Sequence, residues 1–235
     1  MINKIARSVA DAMAGLRDGA TVLIGGFGTA GIPNELIEGL IEQGAKDLTV
    51  VNNNAGNGDT GLAALLKTGR VRKIICSFPR QADSHVFDGL YRSGQLELEL
   101  VPQGNLAERM RAAGAGIGAF FCPTGFGTAL AGDRETRLID GKQHVLEFPI
   151  HGDVALIKAE RGDRWGNLVY RQAARNFGPV MAMAARKTIA TVHEVVALGA
   201  LDPEVIVTPG IFVQQVVLID RVATQAGGVK QGAAT

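Results

Sequence analysis

The residues best suited to chemistry in this chain are glycines and carboxamides that directly follow short apolar runs. A glycine-rich loop comes after the apolar residues 21–24 and leads into Pro33. Its candidate ligand-binding residues are Gly25, Gly26, Phe27, Gly28 and Gly31. Glycine permits positive φ and close approach of a ligand to the backbone, and a proline that opens a helix leaves neighbouring amides free. The loop is therefore suited to an anionic acyl ligand.

The same loop matches the Gly-x-Gly-x-x-Gly pattern of dinucleotide-binding folds at Gly26, Gly28 and Gly31. A nicotinamide site also needs an acidic residue about 20 positions further on, which binds the ribose hydroxyls. That region holds three asparagines, at positions 52–54, so an NAD-dependent oxidoreductase is a weaker alternative. A third explanation is that the glycines only let a helix pack closely on a sheet.

A second candidate segment follows the next apolar run and consists of Asn53, Asn54, Ala55 and Gly56. A carboxamide offers two donors and an acceptor without a charge, so it can orient a carboxylate or a thioester carbonyl. Asparagine and glycine are equally typical of a plain turn. Both interpretations stay open from the residues alone.

A third segment contains Gln103, which follows a predicted strand and precedes a predicted helix. The sequence predicts Asn105 as the N-cap of that helix and Glu108 as its capping-box partner, which leaves Gln103 without a structural role. Its amide could donate to a developing oxyanion. Arg80 and Arg109 are weaker candidates, as cations for a substrate carboxylate.

Length, composition and net charge indicate how the chain is organised and which partners it can have. The chain has 235 residues, 46% of them hydrophobic, which favours one large domain. Its formal net charge of +1 argues against nucleic acid or a membrane as partner. Cys76 and Cys122 have no metal-ligand spacing, so we expect reduced thiols, a cytoplasmic protein and no metal. The predicted domain covers residues 1–222, and a flexible tail is predicted at residues 223–235.

Apolar runs rich in valine and isoleucine alternate with helical patterns, which predicts an α/β fold with an open, mainly parallel sheet and crossover helices. The predicted strands are residues 21–24, 48–52, 73–76, 96–101, 154–159, 168–170, 188–192 and 205–207. The predicted helices are residues 1–17, 34–43, 105–113 and 179–185, with a small inserted hairpin region within residues 120–150. Ligands of such folds bind at the carboxyl ends of the strands, where the three segments lie.

The chain resembles the family I coenzyme A transferases. Their first signature is an Asp/Asn-Gly pair, a short apolar strand, Gly-Gly-Phe, three residues and Gly-x-Pro, and residues 18–33 fill every position. Their Asn-Asn-Ala-Gly and Pro-Gln-Gly segments match residues 53–56 and 102–104, and Ala-Arg-Asn-Phe matches residues 174–177. The resemblance extends from about Ile2 to about Val217.

The resemblance implies residue roles and a partner. It implies that residues 53–56 line the active site, that Gln103 stabilises an oxyanion, and that residues 174–177 are structural or form an interface. The family's nucleophilic glutamate belongs to a Ser-Glu-Asn-Gly segment, which this sequence lacks. The expected partner is therefore a B subunit that carries it, in a heterotetramer of two A and two B chains. CoA thioester would be a substrate, and no cofactor is expected.

Further stretches most resemble family members that act on 3-oxoadipate. They are residues 25–31, 76–81, 116–121, 162–167 and 209–214. The resemblance thus implies ping-pong transfer of CoA from succinyl-CoA to 3-oxoadipate, with acetoacetate, acetate or butyrate as alternative acceptors. A non-catalytic acyl-CoA-binding module remains an alternative of another class.

Overall fold

The computed structural model describes residues 1–220. The strands are β1 (Thr21–Ile24), β2 (Leu48–Val51), β3 (Val71–Cys76), β4 (Glu97–Leu100), β5 (Phe120–Cys122), β6 (Thr136–Ile139), β7 (Lys142–Glu147), β8 (Gly152–Lys158), β9 (Arg161–Asp163), β10 (Leu168–Val169), β11 (Ala185–Val192), β12 (Glu194–Val196) and β13 (Gln215–Leu218). The α-helices are α1 (Val9–Met13), α2 (Asn34–Gln43), α3 (Leu62–Lys67), α4 (His85–Arg92), α5 (Gln103–Ala115) and α6 (Gly178–Ala184). Short 3₁₀ helices span Gln172–Arg175, Pro203–Val205 and Gly210–Phe212.

Within these residues the main sheet has seven strands, in the order β13-β11-β8-β1-β2-β3-β4, and every pair in it is parallel. Helices α2, α3 and α4 connect β1 to β4 in succession. The carboxyl ends of these strands therefore meet at one edge of the sheet. The predicted α/β fold with a mainly parallel sheet is confirmed.

The two faces of the main sheet pack against different helices. In β1, Val22 and Ile24 belong to the core beneath α2, α3 and α4, whereas Leu23 belongs to the core beneath α5 and α6. All three side chains are fully buried. Burial on both faces explains why these strands are continuous apolar runs.

Two small sheets flank the main one. The predicted hairpin is present, as β6 and β7 pair antiparallel around the turn at Asp140 and Gly141, and β5 joins the other edge of β7. The second small sheet has the order β10-β9-β12. In the described part of the chain, no helix is both long and apolar enough to cross a membrane.

The predicted N-terminal helix over residues 1–17 is wrong in extent. Helix α1 covers Val9–Met13, begins at the cap residue Ser8 and stops before Gly15, whose φ is +82°. Ile5 instead pairs with Val216 in a parallel bridge. The apolar residues of this segment therefore serve two elements, because Ile5 pairs with β13 and Met13 belongs to the helix.

The predicted start of the helix after β4 is also wrong. Helix α5 begins at Gln103, with Pro102 as its cap residue, so Asn105 lies within the first turn. Asn105 is buried, and its Nδ2 donates to the buried carboxylate of Glu147 at 2.8 Å. Glu108 pairs with Arg111 at 3.1 Å, and the capping box is not formed. Asn105 therefore binds the side chain of Glu147 instead of capping the helix.

Other differences are local. The predicted strand at residues 205–207 is absent, because Asp202 caps a 3₁₀ turn at Pro203–Val205. Strand β2 ends at Val51, one residue before the prediction. Helices α3 and α4 were not predicted from the sequence. The predicted tail at residues 223–235 lies outside the described residues.

Candidate active site

The loops that leave β1, β2, β3 and the segment after β4 enclose a cleft of about 440 Å³ at the carboxyl edge of the sheet. The cleft is lined by Phe27, Gly28, Asn53, Asn54, Ser77, Phe78, Gln81 and Gln103. A smaller cleft of about 170 Å³ shares Gly28, Asn54 and Gln81 with it. The three segments predicted from the sequence therefore come together at one site.

The glycine loop has a shape that only glycine permits at two positions. Gly26 has a φ of +127°, and a Cβ there would lie 2.6 Å from the Ile32 side chain. Gly31 has a φ of +72°, and its Cβ would lie 2.7 Å from the carbonyl oxygen of Ala174. Larger residues would displace the loop, so these glycines are needed for its fold.

Most loop amides are already used within the chain. Gly25 N donates to Leu156 O at 2.9 Å, Gly26 N to Asn176 Oδ1 at 3.1 Å, and Phe27 N to Ala30 O at 3.0 Å. Gly28 differs, because it lines the cleft and a Cβ at its position would meet no atom within 4 Å. Of the loop glycines, Gly28 is the one beside which a ligand has room to approach.

Asn176 holds the loop from the other side. Its Oδ1 accepts the Gly26 amide, and its Nδ2 donates to the carbonyl oxygen of Ala30 at 3.0 Å. The Asn176 carboxamide thus links Gly26, near the start of the loop, to Ala30, near its end. This contact agrees with a structural role for residues 174–177.

Asn52 and Asn54 are almost completely buried behind the cleft. Asn52 Nδ2 donates to Ile24 O at 2.7 Å, which ties the end of β2 to the end of β1. Asn54 Oδ1 accepts the Gly56 amide at 2.9 Å, while the buried Asn54 Nδ2 has no hydrogen-bond partner among the described residues. A buried donor without a partner is costly to the folded state.

Asn53 and Gln103 meet across the cleft. Gln103 Nε2 donates to Asn53 Oδ1 at 2.9 Å, and Ser77 Oγ donates to the same oxygen at 2.6 Å. Two donors thus converge on one acceptor, while Asn53 Nδ2 and the second N–H of Gln103 make no hydrogen bond within residues 1–220. Two neighbouring neutral donors of this kind can stabilise an oxyanion.

Sequence reasoning did not select Ser77, Phe78 or Gln81 as site residues. They follow β3 directly, at the same edge as the other loops. The rule that selected Asn53 would have found them, because parallel strands end at a common edge. Phe27 and Phe78 expose 48% and 67% of their surface beside the cleft, which gives its mouth an apolar character.

In the described part of the chain, none of the residues that line the main cleft is ionisable. The weak candidates Arg80 and Arg109 lie outside both clefts. Arg80 is exposed and pairs with Asp88 at 2.8 Å, whereas Arg109 is mostly buried and pairs with Glu99 at 2.8 Å. Among the described lining residues the site therefore consists of neutral donors and aromatic rings.

Two titratable groups lie close to the site without lining the main cleft. Burial raises the pKa of the Cys76 thiol, at the end of β3, to about 12, so it is protonated at neutral pH. Its hydrogen bond to Asp83 raises the pKa of His85, whose two ring nitrogens lie 2.7 Å from Asp83 Oδ1 and 3.2 Å from Asp59 Oδ1. This exposed cluster joins the loop after β2 to the loop after β3.

Two relatives resemble the chain over nearly its whole length. It is 66% identical to the A subunit of a 3-oxoadipate CoA-transferase from Pseudomonas putida, over 96% of this chain and 98% of the relative. It is 67% identical to the A subunit of a 3-oxoadipate CoA-transferase from Acinetobacter baylyi, over 96% of this chain and 99% of the relative.

The fold is also found in a solved structure, glutaconate coenzyme A-transferase from Acidaminococcus fermentans. The TM-score is 0.81 at 24% identity, over 92% of this chain and 75% of that one, a likeness that concerns the fold alone. A sequence model of the coenzyme A transferase family matches residues 6–218. With that match and relatives at two-thirds identity, the chain belongs to the coenzyme A transferase family.

Proposed function

We propose that this chain is the A subunit of a two-subunit enzyme that transfers CoA from succinyl-CoA to 3-oxoadipate. The products are 3-oxoadipyl-CoA and succinate. The observation that carries the proposal is the pair of carboxamides, Asn53 and Gln103, held 2.9 Å apart in a cleft without charged lining residues. The names of the two close relatives support the same acceptor.

The proposed chemistry is nucleophilic catalysis by a glutamate of the B subunit. The glutamate carboxylate attacks the thioester carbonyl of succinyl-CoA, and the C–S bond breaks. CoA departs as the thiolate, and the product on the enzyme is an acyl-glutamyl anhydride. The thiolate attacks the glutamyl carbonyl of the anhydride, which releases succinate and leaves a glutamyl-CoA thioester. The carboxylate of 3-oxoadipate then attacks this thioester, and the two steps run in reverse order to give 3-oxoadipyl-CoA and the free glutamate.

Each step places negative charge on a carbonyl oxygen, and this chain supplies the donors that stabilise it. We assign that role to Gln103 and Asn53, each of which has an N–H not used within the described chain. Asn54, which also lines the cleft, is assigned to substrate binding. Neutral donors suit this task because they stabilise the transient oxyanion without pairing permanently with the nucleophilic carboxylate.

The remaining candidate residues are assigned to the substrate-binding loops, either as contacts with the substrate or as residues that set the shape of the loops. Gly28 lets the substrate approach the backbone, and Phe27 contributes apolar surface at the mouth of the cleft. Gly25, Gly26, Gly31, Ala55 and Gly56 are proposed to shape these loops. At Gly56, φ is +87° and a Cβ would lie 2.5 Å from Ala63 N, so its loop packs directly on α3.

The distal carboxylate of 3-oxoadipate needs a cation or several donors. Arg80 is the better candidate in this chain, because it is exposed and belongs to the loop that carries Ser77 and Phe78. Arg109 is held by Glu99 and by the carbonyl oxygen of Phe148 at 2.7 Å. The B subunit is the other possible source of this cation.

The proposed assembly is a cytoplasmic heterotetramer of two A and two B chains, with CoA thioester as substrate and no further cofactor. The test is to express this chain alone and together with a B subunit that carries the Ser-Glu-Asn-Gly segment. Transfer of CoA from succinyl-CoA to 3-oxoadipate by the pair, and by neither chain alone, is the expected result. A stable pair that transfers CoA only to acetoacetate would overturn the acceptor, and an inactive stable pair would overturn the enzyme assignment.

A further inference from the structure

Among the described residues that line the main cleft, Ser77 is the one with a hydroxyl group, and the chemistry proposed above gives it no role. It is half-buried and follows β3 directly. Its Oγ lies 2.6 Å from Asn53 Oδ1, the same atom that accepts the Gln103 amide at 2.9 Å. Ser77 thus contacts one of the two proposed oxyanion donors and reaches the other through a shared atom.

We propose that Ser77 is a positioning residue of the oxyanion site. A carbonyl oxygen has two acceptor sites, and the Ser77 hydroxyl and the Gln103 amide together occupy both sites of Asn53 Oδ1. The Asn53 carboxamide is then fixed with its Nδ2 on the opposite side. One N–H of Gln103 is held as well, so its second N–H has a defined direction. This inference rests on the proposed function and names a residue that prepares its donors.

The structure separates this role from a general role in folding. The backbone of Asn53 is held independently, because its carbonyl oxygen accepts the amides of Ser77 at 3.2 Å and Phe78 at 3.0 Å. Both bonds come from main-chain atoms, so they persist when the side chain is changed. Removal of the hydroxyl should therefore leave the loop in place and free only the Asn53 carboxamide to rotate.

The hydroxyl itself has few other partners. Besides Asn53 Oδ1, Ser77 Oγ reaches only the Asn53 carbonyl oxygen, at 3.2 Å, within residues 1–220. Within residues 1–220, the lining of the cleft contains no histidine or carboxylate that could activate this hydroxyl as a nucleophile. Both of its hydrogen-bond contacts lead to Asn53, which favours a positioning role.

The test compares two isosteric variants, Ser77→Thr and Ser77→Val, in the complex with the B subunit. Threonine keeps the hydroxyl and valine replaces it with a methyl group of similar size. We expect Ser77→Val to have a kcat about 5- to 30-fold below that of Ser77→Thr, with KM values within about twofold, because a hydrogen bond that orients a donor acts mainly in the transition state. Equal kcat values for the two variants would overturn the proposal.

A second measurement asks whether Ser77 acts through Asn53. In an Asn53→Ala background, Ser77→Ala should lower kcat by less than about twofold further, because the atom it orients is gone. The same fold-loss in both backgrounds would overturn the proposal. Ser93→Ala is the matched control and should leave kcat unchanged, since the one hydrogen bond of the Ser93 hydroxyl to a described residue is to Leu90 O at the end of α4.

These outcomes are distinct from failure of the proposed function. If the unmodified complex transfers no CoA, the proposed function fails first. If the unmodified complex is active and the Ser77 variants behave alike, only the positioning role fails. Thermal unfolding and co-purification with the B subunit, measured for every variant, identify a loss of activity that comes from loss of structure.

Discussion

The Gln103 side chain donates a hydrogen bond to Asn53 Oδ1 at 2.9 Å, although the two residues are 50 positions apart in the chain. Gln103 is the first residue of α5, and Asn53 lies two residues beyond the end of β2. The parallel order β2-β3-β4 brings these two loops to the same edge of the sheet. The pair gives the cleft two neutral donors, and each donor comes from a different loop of the chain.

Replacing Gln103 tests its role as an oxyanion donor. Gln103→Ala should lower the kcat of the assembled complex by roughly 10- to 1,000-fold, the usual loss when one such donor is removed. Steady-state kinetics with both substrates measures it. Gln143→Ala, in the exposed part of β7, is the matched control and should have no effect. A loss under about twofold for Gln103→Ala would exclude the role.

Replacing Gly26 tests the packing of the glycine loop. Gly26→Ala places a Cβ 2.6 Å from Ile32 Cγ1 at a φ of +127°. The variant should lose about 1–3 kcal/mol of unfolding free energy, from backbone strain and steric overlap. Chemical denaturation measures the change. Gly118→Ala, where a Cβ meets nothing within 4 Å and φ is not positive, should be near neutral. Equal stability of the two variants would contradict the loop geometry.

The His85 cluster predicts a pH dependence of stability. Because hydrogen bonding to Asp83 raises the pKa of His85, the folded state binds its proton more tightly than the unfolded state does. The stabilisation is fully present below the unfolded pKa of about 6.5 and is lost as pH rises through the higher folded pKa. Asp59 and Asp83, whose pKa values are lowered, stay ionised throughout this range.

To test this dependence, thermal unfolding of the wild type and of the His85→Gln variant is measured at pH 5.5 and at pH 8.5. The difference in Tm between the two proteins should be larger at the lower pH. It should be small in absolute terms, because the cluster is exposed and solvent screens it. His144→Gln, in the hairpin strand β7, serves as control. A difference that grows towards high pH would contradict the assignment.

Cys76 should be chemically inert in the folded protein. Its side chain is fully buried and its pKa is raised to about 12, so almost no thiolate exists at pH 8. After brief treatment of the native protein with iodoacetamide, peptide mass spectrometry should find Cys76 unmodified and Cys122, which is partly exposed, modified. Denatured protein provides the control for complete labelling. Rapid labelling of native Cys76 would show that β3 opens readily.

The sequence predicted those parts of the fold that depend on local pattern. The apolar strands, the glycine loop and the polar residues after each strand identified the edge where Asn53 and Gln103 meet. The role of Asn105 could not be predicted, since it depends on Glu147, which is 42 positions away. The place of Ser77 at the same edge follows from the strand-end rule, but the direction of its hydroxyl towards Asn53, 24 positions away, does not. Local propensity contains no information about such distant partners.

The most direct measurement is a single half-reaction. The purified complex is mixed with succinyl-CoA in the absence of an acceptor acid, and released succinate is counted. We expect a rapid burst of about one succinate per B chain, as the glutamyl-CoA thioester forms, and none from this chain alone. Overall CoA transfer without such a burst would contradict the two-stage chemistry. A burst from the isolated chain would contradict the assignment of the nucleophile to the partner.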